Sequence, residues 1–87
     1  MKKIVFNGDK NVIHARLRYY RELRGLSQGQ VAAKLQTMNV NIDQQAVSRI
    51  ENNLRIVTDY EFACLCRILN ITEKDLLSDF YENNISE

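Results

Sequence analysis

Gln44, Gln45, Ser48 and Arg49 carry amide, hydroxyl and guanidinium groups capable of directional hydrogen bonding. A glutamine amide holds an acceptor and two donors in one plane, and an arginine guanidinium presents a rigid fork of donors. Such groups pair bidentately with flat hydrogen-bonding edges, glutamine with adenine and arginine with guanine. In a helix capped by Asp43, these four residues face away from Ala46, Val47 and Ile50, which form the apolar side. Taken alone, a polar set of this kind reads as a solvated helix face. The surrounding pattern has to decide.

The other reactive residue types do not assemble. Cys64 and Cys66 are the only cysteines. Two apart in a helix, they point to different sides, which suits neither a shared metal nor a mutual disulfide, and they read as one small buried hydrophobe and its neighbour. His14 stands without a cluster of carboxylates or thiols, so no metal or catalytic role is expected of it. No nucleophile–base constellation, carboxylate pair in a plausible cleft or glycine-rich phosphate loop appears, and no enzyme, cofactor or small-molecule substrate is expected.

The elements that must position the polar set follow from capping and periodicity. Eighty-seven residues make one domain, and 45% hydrophobic with 26% charged residues is enough for a compact core and a soluble surface. Net charge is +1, but residues 1–35 carry eight Lys/Arg and two acids, whereas residues 36–87 carry four and nine. That asymmetry suggests a basic face for a polyanion with the acidic remainder turned away. No apolar run nears the roughly 18 residues of a membrane span, and Ile4-Val5-Phe6 is too short for a signal core, so a cytoplasmic protein with no membrane association is expected.

There is no proline and there are only three glycines, so helices dominate. Asp9 or Asn11 can cap a first helix running to about Arg24, with Ile13, Leu17 and Tyr20 inward and Gly25 as its stop. Ser27 and Gln30 form a capping box opening a second helix that buries Val31, Ala32 and Leu35. After a polar stretch, Gln36 to Ile42, Asp43 caps the third, which Asn52-Asn53 can end. Thr58 or Asp59 begins the fourth, with Phe62, Leu65, Ile68 and Leu69 inward. Thr72 begins the fifth, burying Leu76, Leu77 and Phe80. Residues 1–10 are an arm or a short strand, 11–81 the domain, and 82–87 a polar tail.

Arg21-Glu22-Leu23-Arg24-Gly25-Leu26-Ser27-Gln28 with Val31-Ala32, then Val47-Ser48-Arg49-Ile50-Glu51-Asn52, then Asp59-Tyr60-Glu61 through Leu69-Asn70-Ile71 resemble three successive parts of the phage repressor and Cro-like family, the XRE-type transcriptional regulators. The resemblance spans roughly residues 11 to 78. It implies an all-α, compact, five-helix, lambda-repressor-like domain with its helix-turn-helix at helices two and three. The chain departs from the pattern twice. Leu35 to Val47 is about five residues longer than the usual tight turn, through a longer recognition helix or a small loop. Asn53 stands where glycine is usual, a mild change because asparagine tolerates the same backbone.

The resemblance implies roles residue by residue. Gln44, Gln45 and Arg49, with Ser48 beside them, would reach base edges of double-stranded DNA. Gln28, Asn53 and Arg55 would meet its backbone, the first helped by the free amides of a helix N-terminus. Arg21 and Glu51 would pair to fix the third helix against the first. A homodimer on two half-sites is implied as well, pairing through helix five or the tail, with Tyr60, Phe62, Phe80 and Tyr81 as core or dimer patch. The expected function is sequence-specific DNA binding by a small repressor. The alternative is an antitoxin-like or regulatory protein-interaction module on the same fold.

Overall fold

The structure, a computed structural model, describes residues 5–84. Six helices follow one another: α1 His14–Leu23, α2 Gln28–Thr37, α3 Gln44–Glu51, α4 Asp59–Leu69, α5 Glu73–Leu76 and α6 Ser78–Asn84. The expected fifth helix is therefore two short segments. At Leu77 the backbone relaxes to φ −95°, ψ 9°, which interrupts the helical ladder.

Helix starts are set by short-range side-chain bonds. Ser27–Gln30, Thr58–Glu61 and Thr72–Asp75 are complete capping boxes, and Asp43 accepts from the Ala46 amide. Helix α1 is the exception: Ile13 is its N-cap and no side chain caps it, so neither Asp9 nor Asn11 does so as expected. Asn11 is engaged elsewhere, as described below.

Four helix ends share one device. Gly25, Asn39, Asn53 and Asn70 each adopt a left-handed conformation, with φ of 71°, 64°, 63° and 55°. At each, the next residue (Leu26, Val40, Leu54, Ile71) donates its amide to a carbonyl five residues back, and the turn residue donates to one three back. This is the Schellman arrangement, which satisfies carbonyls that a helix terminus leaves open. The apolar residue that follows is part of the motif.

The long α2–α3 connection is a small loop, not an extension of the recognition helix. Asn39 ends α2, Val40 and Ile42 are buried in the core, and Gln36 Nε2 donates to the Ile42 carbonyl at 2.9 Å. Two apolar anchors and one side-chain bond thus give the loop a fixed path. The core collects Leu17 of α1, Val31 and Leu35 of α2, Val47 and Ile50 of α3, Leu65 and Leu69 of α4 and Leu76 of α5, all fully buried. Each helix therefore positions its neighbours through shared apolar contacts, with α2 packed on α3.

At the N-terminus, Phe6 and Asp9 exchange two backbone bonds of 2.7 and 2.8 Å around Asn7-Gly8, both at positive φ. Asn-Gly is the preferred pair for such a two-residue hairpin turn. The arm expected over residues 1–10 is thus a tight hairpin from Phe6, its ring 5.6 Å from that of Phe80; residues 1–4 lie outside the described residues.

Cys66 is buried in α4, and burial pushes its thiol up to about 11. A raised native value means the folded state holds the proton more tightly, so the stabilisation is intact at neutral pH and fades as pH climbs through 9 toward 11. With the thiolate as the reactive form, iodoacetamide at pH 8 is expected to label Cys66 only after denaturation. Peptide mass spectrometry checks this; labelling of Cys66 in the native protein at the denatured rate would refute it.

Candidate nucleic-acid interface

Helix α3 is held from beneath and free above. Val47 and Ile50 are fully buried, and Glu51 turns inward at the helix end. Gln44, Gln45 and Arg49 are exposed on the opposite face, and Ser48 is half-buried beside them. The sequence places these residues on one face, and the structure brings them together there.

Their bonding state separates them from other polar residues. Gln28, Gln30 and Gln36 each make a side-chain hydrogen bond within the protein. Among the described residues, the side chains of Gln44, Gln45 and Arg49 make none, and Ser48 Oγ only accepts from Asn52 Nδ2 at 3.3 Å. Gln44 also lies against the first turn of α2, where a Cβ added at Gly29 would stand 3.4 Å from its Oε1. The start of α2 and the start of α3 therefore form one continuous polar surface.

The anchor beneath it is the expected pair. Arg21 Nε and Nη2 donate to the two Glu51 oxygens at 2.5 and 3.0 Å, and Arg21 Nη1 donates to the Leu26 carbonyl at 2.8 Å. The hydrogen bond to Glu51 raises the Arg21 pKa, so the guanidinium stays charged. Gln28 joins the pair by donating Nε2 to Glu51 Oε1 at 3.0 Å. Gln28, half-buried, thus ties the first turn of α2 to the end of α3.

Asn53 and Arg55 are more deeply committed. Asn53 Oδ1 accepts from the Lys10 and Asn11 amides at 2.8 and 3.3 Å, and its Nδ2 donates to Asp9 at 2.8 Å. Arg55 grips both oxygens of the buried Glu61 at 3.1 and 3.2 Å. Sequence reasoning missed Asn11, the centre of this region. Its buried Nδ2 donates to the carbonyls of Ile50 and Arg55, both at 3.0 Å, and its Oδ1 accepts from the Ile13 amide. No local signal distinguishes such an asparagine from a helix cap.

These contacts change the meaning of Asn53. Glycine would match its left-handed backbone but would remove all three side-chain bonds. Asn53→Gly is therefore expected to destabilise the protein by about 1–2 kcal/mol, the scale of lost, partly buried hydrogen bonds. Thermal unfolding measures it; a variant as stable as the parent would show that only the backbone conformation matters.

The basic first half also reads differently in three dimensions. Arg16 pairs with Asp79, Arg18 with Glu22 and Arg21 with Glu51, while Arg24 donates to the carbonyls of Leu69 and Asn70. The arginines of α1 and its cap thus have internal acceptors. Among the described residues, Arg49 forms no ion pair, so a cation of the acidic half stands free on the exposed face of α3.

A family model described as helix-turn-helix matches residues 17–76, which takes in α1 through α5 almost entirely. No curated protein matches the chain.

Proposed function

The chain belongs to the phage-repressor-like helix-turn-helix family, and from that premise we propose that it binds double-stranded DNA sequence-specifically as a small transcriptional repressor. Helix α3 enters the major groove. Gln44, Gln45 and Arg49 read base edges there, with Ser48 beside them, and two copies occupy two half-sites. The observation that carries this reading is the exposure of two amides and one guanidinium on α3 without internal partners. Buried or bonded groups could not be offered to a ligand without breaking existing bonds.

The first turn of α2, with Gln28 bonded to Glu51, meets the phosphate backbone through its open amides. Asn53 and Arg55, whose side chains are committed to the Asp9–Asn11 segment and to Glu61, act on DNA through the loop they hold in place.

Selection of duplexes from a random library at near-physiological salt tests the proposal. A short palindromic motif is expected, with affinity falling steeply as salt rises because phosphate contacts release counterions. Absence of enrichment, with weak and sequence-blind binding, would instead favour a protein-interaction module on this fold.

A further inference from the structure

The turn that ends α3 carries two polar side chains that are already committed. Asn53 is bonded to residues 9–11, and Arg55 grips the buried Glu61. Neither can meet an anion through its side chain without breaking those bonds. A helix lying in a groove of DNA is nevertheless flanked by phosphates, and a positive charge beside its end would meet them favourably.

Lys10 supplies a charge of that sign at that place. Its backbone amide donates to Asn53 Oδ1 at 2.8 Å, which fixes the residue directly beside the end of α3. Lys10 is exposed, and its ammonium forms no hydrogen bond or ion pair among the described residues. The adjoining acid is engaged: Asp9 Oδ1 accepts from Asn53 Nδ2 at 2.8 Å and lies 3.9 Å from His14 Nε2.

The approach of Lys10 is also set. The paired backbone bonds of Phe6 and Asp9 close a hairpin just before it, so it leaves a tight turn and not a loose arm. Asn53 makes three side-chain bonds to this segment, and glycine would make none of them. The placement of Lys10 thus uses a residue at which this chain departs from the pattern it resembles.

We propose that Lys10 is a phosphate-binding residue, clasped by Asn53 beside the end of α3 so that its ammonium meets the DNA backbone flanking the bases that α3 reads. The assignment rests on the DNA-binding reading. It adds to that reading a contact that carries charge but no sequence information.

Titration of the selected duplex and of an unrelated duplex over a salt series tests it on the full chain. Lys10→Gln should weaken binding to both duplexes by about fivefold at near-physiological salt. It should also reduce the slope of log affinity against log salt concentration by about one. Lys10→Arg, which keeps the charge, should retain the parental slope. Lys74→Gln lowers net charge equally, but Lys74 lies on α5, which packs on α1, α4 and α6, and the slope should not change. Thermal unfolding of Lys10→Gln should match the parent, because the bond to Asn53 uses the backbone amide, so weaker binding does not report misfolding. A slope unchanged in Lys10→Gln, an equal drop in Lys74→Gln, or a loss confined to one base position overturns the proposal. In each of these cases the parent still binds its duplex, and the DNA-binding reading stands. A parent that binds no duplex overturns both, so the two failures are told apart by the parent alone.

Discussion

Glu51→Gln is expected to lower the unfolding free energy by about 3–5 kcal/mol, the cost of leaving a buried charge without its partner. The Glu51 side chain is only 2% exposed and that of Arg21 11%, so solvent cannot take over the lost bonds. The substitution keeps the side-chain shape yet places an amide donor against Arg21 or Gln28, both already donors to this carboxylate. For a domain of this size such a loss is a large fraction of the total. Arg18→Ala is the contrast. Its i,i+4 partner Glu22 and Arg18 itself are more than half exposed, and a change of no more than about 0.5 kcal/mol is expected there. Urea denaturation of Arg21→Met, Glu51→Leu and the Arg21→Met/Glu51→Leu double variant, measured beside Glu51→Gln and Arg18→Ala, supplies a double-mutant cycle. Additive effects, with no coupling between positions 21 and 51, would refute the anchoring role.

Arg49→Ala is expected to cost about 1–3 kcal/mol of discrimination at one base position, roughly a 5- to 150-fold relaxation of preference. Its unfolding free energy should match the parent, because the side chain is exposed and makes no bond within the described residues. Gln45→Ala should relax a different position in the same way. Gln28→Ala should behave otherwise. Loss of its bond to Glu51 should weaken binding to all sequences alike and lower stability as well. Competition titrations against a panel of single-base variants of the selected duplex separate these outcomes. If Arg49→Ala lowered affinity equally for every duplex, Arg49 would be a backbone contact and the assignment of base reading would fail.

Much of the architecture was legible because the deciding physics is short-ranged. Ser27 with Gln30 and Thr58 with Glu61 lie three residues apart, so their capping boxes close within one helical turn whatever the rest of the chain does. Periodicity exposed the buried sides of α2 and α4 for the same reason. Two further short-range signals lie in the sequence. Asn39-Val40 and Asn70-Ile71 repeat the pattern of Gly25-Leu26, a residue tolerant of positive φ followed by an apolar one, and they end α2 and α4 in the same way. Asn7-Gly8 likewise carries the signature of the hairpin turn that replaces a simple arm.

The polar set of α3 was identifiable by type and spacing, and the partnership of Arg21 and Glu51 by resemblance. That Gln44, Gln45 and Arg49 make no side-chain bond among the described residues while the other described glutamines do is a fact of the folded structure. So are the roles of Asn11, Asn53, Arg55 and Arg16. Asn11 and Arg55 lie 44 residues apart, Arg16 and Asp79 63 apart. Capping and amphipathic spacing depend on neighbours within a turn and are written in the chain itself. Which carbonyl an asparagine reaches, and whether an arginine faces an acid or the solvent, depends on where the packed core brings distant backbone. The sequence by itself determined the core helices, the N-terminal caps of α2 to α5 and the face available for recognition. Tertiary packing alone decided which polar groups serve the framework and which stay free, because long-range proximity is settled only when the core closes.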